Sequence, residues 1–103
     1  MPNAFGTHIT NPETQYPQAW ERAGQVKLLV LDVDGVLTNG QVWIGSDGKE
    51  ALKAFDIQDG LGIKLLEQSG IPTAIITGRN SKMVLARCEE LGIKHVHMGV
   101  ENK

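Results

Sequence analysis

Residues 27–40, Lys-Leu-Leu-Val-Leu-Asp-Val-Asp-Gly-Val-Leu-Thr-Asn-Gly, decide the fold. Leu28, Leu29, Val30 and Leu31 form an apolar run that reads as a strand buried on both faces. Such a strand should carry no charge in the middle of a core. Asp32 and Asp34 nevertheless follow at once, and Gly35 lets the chain turn sharply. An apolar strand ending in two carboxylates and a glycine sets charge at the carboxyl end of a sheet, which is where open α/β sheets place their ligands.

Working outward, the first strand is predicted over 26–33. Residues 1–17 hold Pro2, Pro12 and Pro17 and little periodicity, and read as a flexible leader. Residues 18–23 read as a short helix with Trp20 packing against the body, opening a domain that runs over 18–103. After the organising stretch, the runs 41–44 and 50–55 flank Gly45-Ser46-Asp47-Gly48-Lys49, and Asp-Gly between strand-like runs signals a hairpin. A hairpin of about 41–55 is too small to be a domain. Two roles stand open for it, a flap over the site or an oligomer contact. Trp43 and Phe55 are exposed on it unless something covers them.

Asp59 reads as the N-cap of a helix to Ser69, with Leu61, Leu65 and Leu66 on its apolar face, ended by Gly70 and Pro72. Residues 73–76 form a second buried strand. Asn80 or Ser81 caps a helix that ends at Gly92, and 95–98 form a third strand. Strand, helix, strand, helix, strand is the pattern of a doubly wound α/β domain with a parallel sheet.

Composition sets bounds on function. A chain of 103 residues is one small domain. The net charge of −2 gives no reason to expect nucleic acid or an anionic membrane as partner. No apolar run approaches the ~18 residues of a membrane helix, and the N-terminus lacks a signal-peptide pattern. Cys88 is the only cysteine, so no internal disulfide forms, which suits a reducing cytoplasm.

Cleaving a phosphate monoester needs an in-line nucleophile, cationic charge on the phosphoryl oxygens and an acid for the leaving group. Asp32 can supply the nucleophile through an aspartyl-phosphate, and Asp34 the proton. Two carboxylates this close repel, so a divalent cation is expected, with Mg²⁺ the default beside phosphate. Thr77, Gly78 and Arg79 end the second strand, where a hydroxyl, a bare amide and a helix N-terminus make an anion pocket. Set against these readings, the aspartates can simply cap a strand, and Thr77-Gly78 can be a plain turn.

Arg87 falls on or beside the apolar face made by Met83, Val84, Cys88 and Leu91. It either pairs with Glu90 or grips a substrate anion; Lys64 on the preceding helix is a weaker case. Lys103 is either a phosphoryl-neutralising cation or a solvated terminal lysine. His95 and His97 alternate on one strand face and, without a third ligand, read as surface or interface residues. Cys88 reads as core packing. Asp56 and Asp59 are caps or part of the site mouth.

With D-V-D-G-V-L-T, T-G-R and a late lysine in this order, the chain resembles the haloacid dehalogenase superfamily of phosphatases from about Gln25 to Lys103. The hairpin and the following D-I-Q-D-G-L-G-I resemble its capless branch, whose fold is a Rossmann-like parallel sheet with a hairpin flap after the first strand. The resemblance implies Mg²⁺-dependent hydrolysis of a sugar-acid phosphate in lipopolysaccharide synthesis. It implies Asp32 as nucleophile and metal ligand, and Asp34 as acid/base with its backbone carbonyl on the metal. Thr77 and Gly78 would hold phosphate, and Lys103 would match the third motif. Substrate contacts would fall at Asp56, Ile57, Gln58, Asp59, Gly60, Lys64, Arg79 and Arg87. A homotetramer with hairpins packed at its centre would cover Trp43, or Val42 and Ile44. The family's fourth motif, an acidic pair after a further strand, is not found before Lys103. The C-terminal part of the fold is therefore expected to be missing, leaving one edge and one face of the sheet bare. Two rival readings remain: an inactive fragment or hairpin-mediated interaction module, and a receiver-type phosphotransfer domain. A receiver needs an acidic pair one βαβ unit before its phosphorylated aspartate, and none precedes Asp32.

Overall fold

Val33 and Ile75 have no exposed surface, and the fold is built around them. The structure, a computed structural model, describes residues 11–103. Its elements are α1 (Pro12–Gln15), α2 (Pro17–Ala23), β1 (Leu29–Leu31), β2 (Trp43–Ile44), β3 (Glu50–Leu52), α3 (Ile57–Gln68), β4 (Thr73–Ile76), α4 (Lys82–Leu91) and β5 (His95–His97). The expected leader lies outside the described residues up to Thr10. From Asn11, whose side chain accepts a hydrogen bond from the Glu13 amide, it forms the single turn α1. Trp20 was expected to pack against the body but is half-exposed, and neither α1 nor α2 has a buried residue. The run Pro-Gln-Ala-Trp-Glu-Arg-Ala carries no apolar stripe wide enough to dock.

β1, β4 and β5 form a parallel sheet in the order β1-β4-β5, with Leu31 opposite Ile75 and Ile75 opposite Val96. Both crossovers advance in the same direction, and crossovers of one hand then place α3 and α4 on one face. The core agrees: Ile63 of α3 and Val84, Cys88 and Leu91 of α4 share one cluster with Val33, Leu37, Ile75 and Ile93. Among the described residues the sheet is thus wound on one side only, a correction to the doubly wound pattern. Val30, Ala74 and His95 line up across the opposite face. There Val30 is 49% exposed, so β1 is not buried on both faces as expected. β1 is also shorter than 26–33, because Thr73 to Ile76 gives it a partner only over Leu29 to Leu31. One face of the sheet is bare, as the resemblance implied.

α3 begins three residues earlier than expected. Asp56, with extended backbone, is the N-cap and accepts a 2.7 Å hydrogen bond from the Gln58 amide, while Asp59 lies in the first turn. Gly60 and Ile63 are its buried residues; Leu61 and Leu65 face solvent and only Leu66 of the expected face is half-buried. β4 and α4 form where predicted. Ser81 caps α4 through the Val84 amide, and Gly92 at φ 74° closes it. The hairpin is real but short, with a bulge at Trp43/Ile44 and a turn closed by Gly48 at φ 78°. Trp43, Ile44 and Leu52 are about 60% exposed, whereas Phe55 packs against the core.

Candidate active site

The sheet brings three chain segments to one edge. Asp32 follows the end of β1, Thr77 follows β4, and Gly99 to Lys103 follow β5. In a parallel sheet these are all carboxyl ends, so residues far apart in sequence meet there. Beyond Asp32 the chain turns over itself: the Val33 carbonyl accepts from the amides of Val36, Leu37 and Thr38. Gly35 sits at φ 80°, a region open to glycine, and an added Cβ there would be strained by the backbone alone. The buried Thr38 hydroxyl accepts from the amides of Gly35 and Gly40, both at 3.2 Å, and ties the loop into one shape.

Each aspartate meets a lysine. Lys103 Nζ donates to Asp32 Oδ2 at 2.5 Å, and the Val33 amide donates to Asp32 Oδ1 at 2.7 Å. Lys53 Nζ donates to Asp34 Oδ1 at 2.6 Å, and Arg79 Nε lies 3.6 Å from Asp34 Oδ2. The Lys103 hydrogen bond, then the Val33 amide, hold the Asp32 carboxyl below the usual carboxylate range, with smaller help from the Lys103 charge and the Thr77 hydroxyl against a desolvation that raises it. Asp32 is therefore an anion at neutral pH. Thr77 is buried, and its backbone is stitched on both sides: its amide donates to the His97 carbonyl and its carbonyl accepts from the Val100 amide. Gly78 and Arg79 are exposed beside it.

Lys53 and Glu50 went unnoticed in the sequence. Lys53 has a fully buried side chain, bonded to Asp34 and 3.3 Å from Glu50 Oε2. Ser81 Oγ donates to Glu50 Oε1 at 2.6 Å. The only local hint was a lysine between Leu52 and Ala54, which reads as the solvent side of a half-buried strand.

The remaining expected residues form a second cluster. Arg87 bonds Glu90 Oε1 at 2.8 Å and reaches the Asp56 carbonyl at 3.4 Å. It also lies against Gly60, where a Cβ would strike its guanidinium. Asp56, Gln58 and Asp59 are exposed, and Ile57 is 84% exposed. Lys64 is exposed and joins neither cluster through an ion pair among the described residues. An open groove of about 360 Å³ runs between the loop at Val36 to Asn39 and the segment Ala54 to Asp56, with Asp59 at its wall. It joins the loop after Asp34 to the second cluster.

Asp32 offers a carboxylate, and among the described residues no amide or side chain donates to the Asp34 backbone carbonyl. Hard oxygen donors of this kind fit Mg²⁺. Among the described residues no group of three or more His, Cys, Asp or Glu side chains is placed to hold a metal, so the donor type fits while the shell is unfinished. His95 and His97, both exposed on the open sheet face, take no part.

No protein-family model matches the chain. Among curated proteins it is 48% identical over 87 residues to 3-deoxy-D-manno-octulosonate 8-phosphate phosphatase KdsC of Salmonella typhimurium, covering 84% of this chain and 46% of that one. Its structure superimposes with TM-score 0.81 and 48% identity on the same phosphatase from Moraxella catarrhalis, in complex with magnesium ion, phosphate ion and KDO, over 86% of this chain and 51% of that one. A Legionella pneumophila chain named for the HAD superfamily (subfamily III A) hydrolases matches with TM-score 0.78 and 45% identity over 86% of this chain and 48% of that one. The chain thus spans about half the length of the proteins it matches. Over that length it has the fold of the haloacid dehalogenase superfamily and resembles the 3-deoxy-D-manno-octulosonate 8-phosphate phosphatases.

Proposed function

We propose that this chain carries the nucleophile half of a Mg²⁺-dependent phosphatase acting on 3-deoxy-D-manno-octulosonate 8-phosphate, in lipopolysaccharide synthesis in the cytoplasm. The observation that carries the reading is the pairing of Lys103 with Asp32 at the carboxyl ends of β5 and β1. A lysine against a nucleophilic carboxylate keeps it ionised and leaves cationic charge where a phosphoryl group would arrive. The relatives' shared name supports the substrate.

Asp32 attacks phosphorus and the bond to the sugar oxygen breaks, giving an aspartyl-phosphate. Asp34 gives its proton to the departing alkoxide. It then takes a proton from the water that attacks phosphorus, which releases inorganic phosphate and restores Asp32. Thr77, Gly78 and Lys103 hold the phosphoryl oxygens. Arg79, Lys64, Arg87 and the segment Asp56 to Gly60 are assigned to the sugar-acid side, and of these Asp56 and Asp59 line the groove beside Phe55. Mg²⁺, when held by the Asp32 carboxylate and the Asp34 carbonyl, would neutralise phosphoryl charge.

A specific observation favours a second reading, that these 103 residues bind substrate but turn over poorly alone. Among the described residues the metal has too few side-chain ligands. Exposed Trp43, Ile44 and Leu52 support assembly of the chain as a homotetramer through the hairpin. The acidic balance of −2 agrees with a small-molecule partner rather than nucleic acid. Among the described residues no helix is long and apolar enough to cross a membrane.

The deciding measurement is phosphate release from 3-deoxy-D-manno-octulosonate 8-phosphate with and without Mg²⁺, by wild type and Asp32→Asn. Release that needs both Mg²⁺ and Asp32 supports the phosphatase. Binding without Asp32-dependent release supports the fragment. Neither binding nor release overturns both.

A further inference from the structure

The hairpin supplies more than an exposed surface, because its second strand reaches into the site. Lys53 has no exposed side-chain surface. A lysine so buried must be compensated, and two carboxylates do it, Asp34 Oδ1 at 2.6 Å and Glu50 Oε2 at 3.3 Å. Glu50 is held in turn by the Ser81 hydroxyl at 2.6 Å, at the first turn of α4. The chain of contacts runs from the N-cap of α4, through the hairpin, to one oxygen of Asp34.

That leaves the two Asp34 oxygens unequal. Oδ1 is fixed by a buried cation, while Oδ2 faces Arg79, which is 59% exposed on the open side of the site. A carboxyl group that must deliver a proton to a leaving group, and then take one back from water, needs one oxygen aimed there and little freedom to rotate. We infer that Lys53, braced by Glu50 and Ser81, is a positioning residue that locks the Asp34 carboxylate with Oδ2 toward the substrate. This rests on Asp34 being the acid/base of the phosphatase reading. Under it the hairpin is an arm of the active site, and damage to the hairpin reaches the chemistry through Lys53.

The test uses the full chain and two readouts. Lys53→Met removes the clamp; Glu50→Gln keeps the lysine and loosens it, and serves if Lys53→Met does not fold by circular dichroism. With ¹³C-carboxyl aspartate labelling, and Asp34→Asn to assign the signal, the Asp34 carboxyl resonance should shift and broaden in both variants. An Asp34 resonance unchanged in the folded variants overturns the inference, whatever the activity. The second readout compares leaving groups. An alkoxide needs the Asp34 proton, whereas p-nitrophenolate leaves without one. Lys53→Met should lower kcat/KM for the sugar-acid phosphate by on the order of 10²-fold and change that for p-nitrophenyl phosphate by less than about threefold. Equal losses on both substrates, or none on either, overturn it. If wild type hydrolyses neither, the phosphatase reading fails and the resonance alone decides whether Lys53 fixes Asp34.

Discussion

Lys103 Nζ stands 2.5 Å from Asp32 Oδ2 across 71 positions of sequence. The two residues follow the outer strands of the three-stranded sheet, β5 and β1, which do not touch each other. Their meeting at the sheet's carboxyl edge gathers the site into one place. It also depresses the Asp32 carboxyl and sets the first prediction.

A carboxyl held lower in the folded state than in the unfolded chain, where it titrates near 3.9, adds stability above that value. The contribution disappears as pH falls through the folded-state value. Asp32→Asn should melt lower than wild type at pH 6, and the gap should close as pH drops below about 4. Thermal melts of both chains between pH 2 and 7 check it; parallel curves would mean that the lysine contact contributes nothing in solution.

Lys103→Met separates stability from chemistry. Both partners of the pair are about 40% exposed, so its loss should cost no more than about 1 kcal/mol in denaturant titration. Under the proposed mechanism phosphate release, where wild type shows it, should drop by on the order of 10²–10³-fold with the loss of the cation assigned to the phosphoryl group. A large loss of stability with unchanged turnover would contradict the role given to this lysine.

Two glycines of α3 should respond oppositely to alanine. Nothing lies within 4 Å of a Cβ at Gly62, so Gly62→Ala should raise stability by about 0.5–1 kcal/mol through helix preference. At Gly60 a Cβ strikes the Arg87 guanidinium and comes 3.0 Å from Leu91 Cδ2. Gly60→Ala should lower stability by about 1 kcal/mol after that same preference is counted. Urea midpoints of the pair give the comparison, and equal shifts would rule out the close packing of α3 on α4.

Cys88 is 4% exposed and its thiol is pushed up by burial, against a lowering by the Arg87 charge. It should react with a thiol reagent at neutral pH only as fast as the chain opens, and at once in denaturant. Fast labelling of native chain would show that α4 does not stay docked on the sheet.

Much of the fold was legible locally. β4 and α4 announce themselves through an unbroken apolar run, a serine cap and a closing glycine, all short-range signals. The hairpin was readable from Asp47-Gly48. α3 was misplaced by three residues because Asp56 and Asp59 are equally good caps by composition, and only the backbone at Asp56 chooses. Its buried face was misread because Gly60 has no hydropathy to report, yet it is where Arg87 lies against α3.

The sequence alone singled out the residues proposed for the chemistry. Asp32, Asp34 and Thr77 stand at the ends of apolar runs, and a charged or hydroxyl group ending a buried strand has few other uses. The tertiary structure decided how they are partnered. Lys53 looks like a solvent lysine in sequence and Lys103 stands out only as a candidate phosphoryl cation, because nothing within a few residues of either reveals a carboxylate waiting. Strand order and the return of the hairpin supply those partners, over separations that no local pattern encodes.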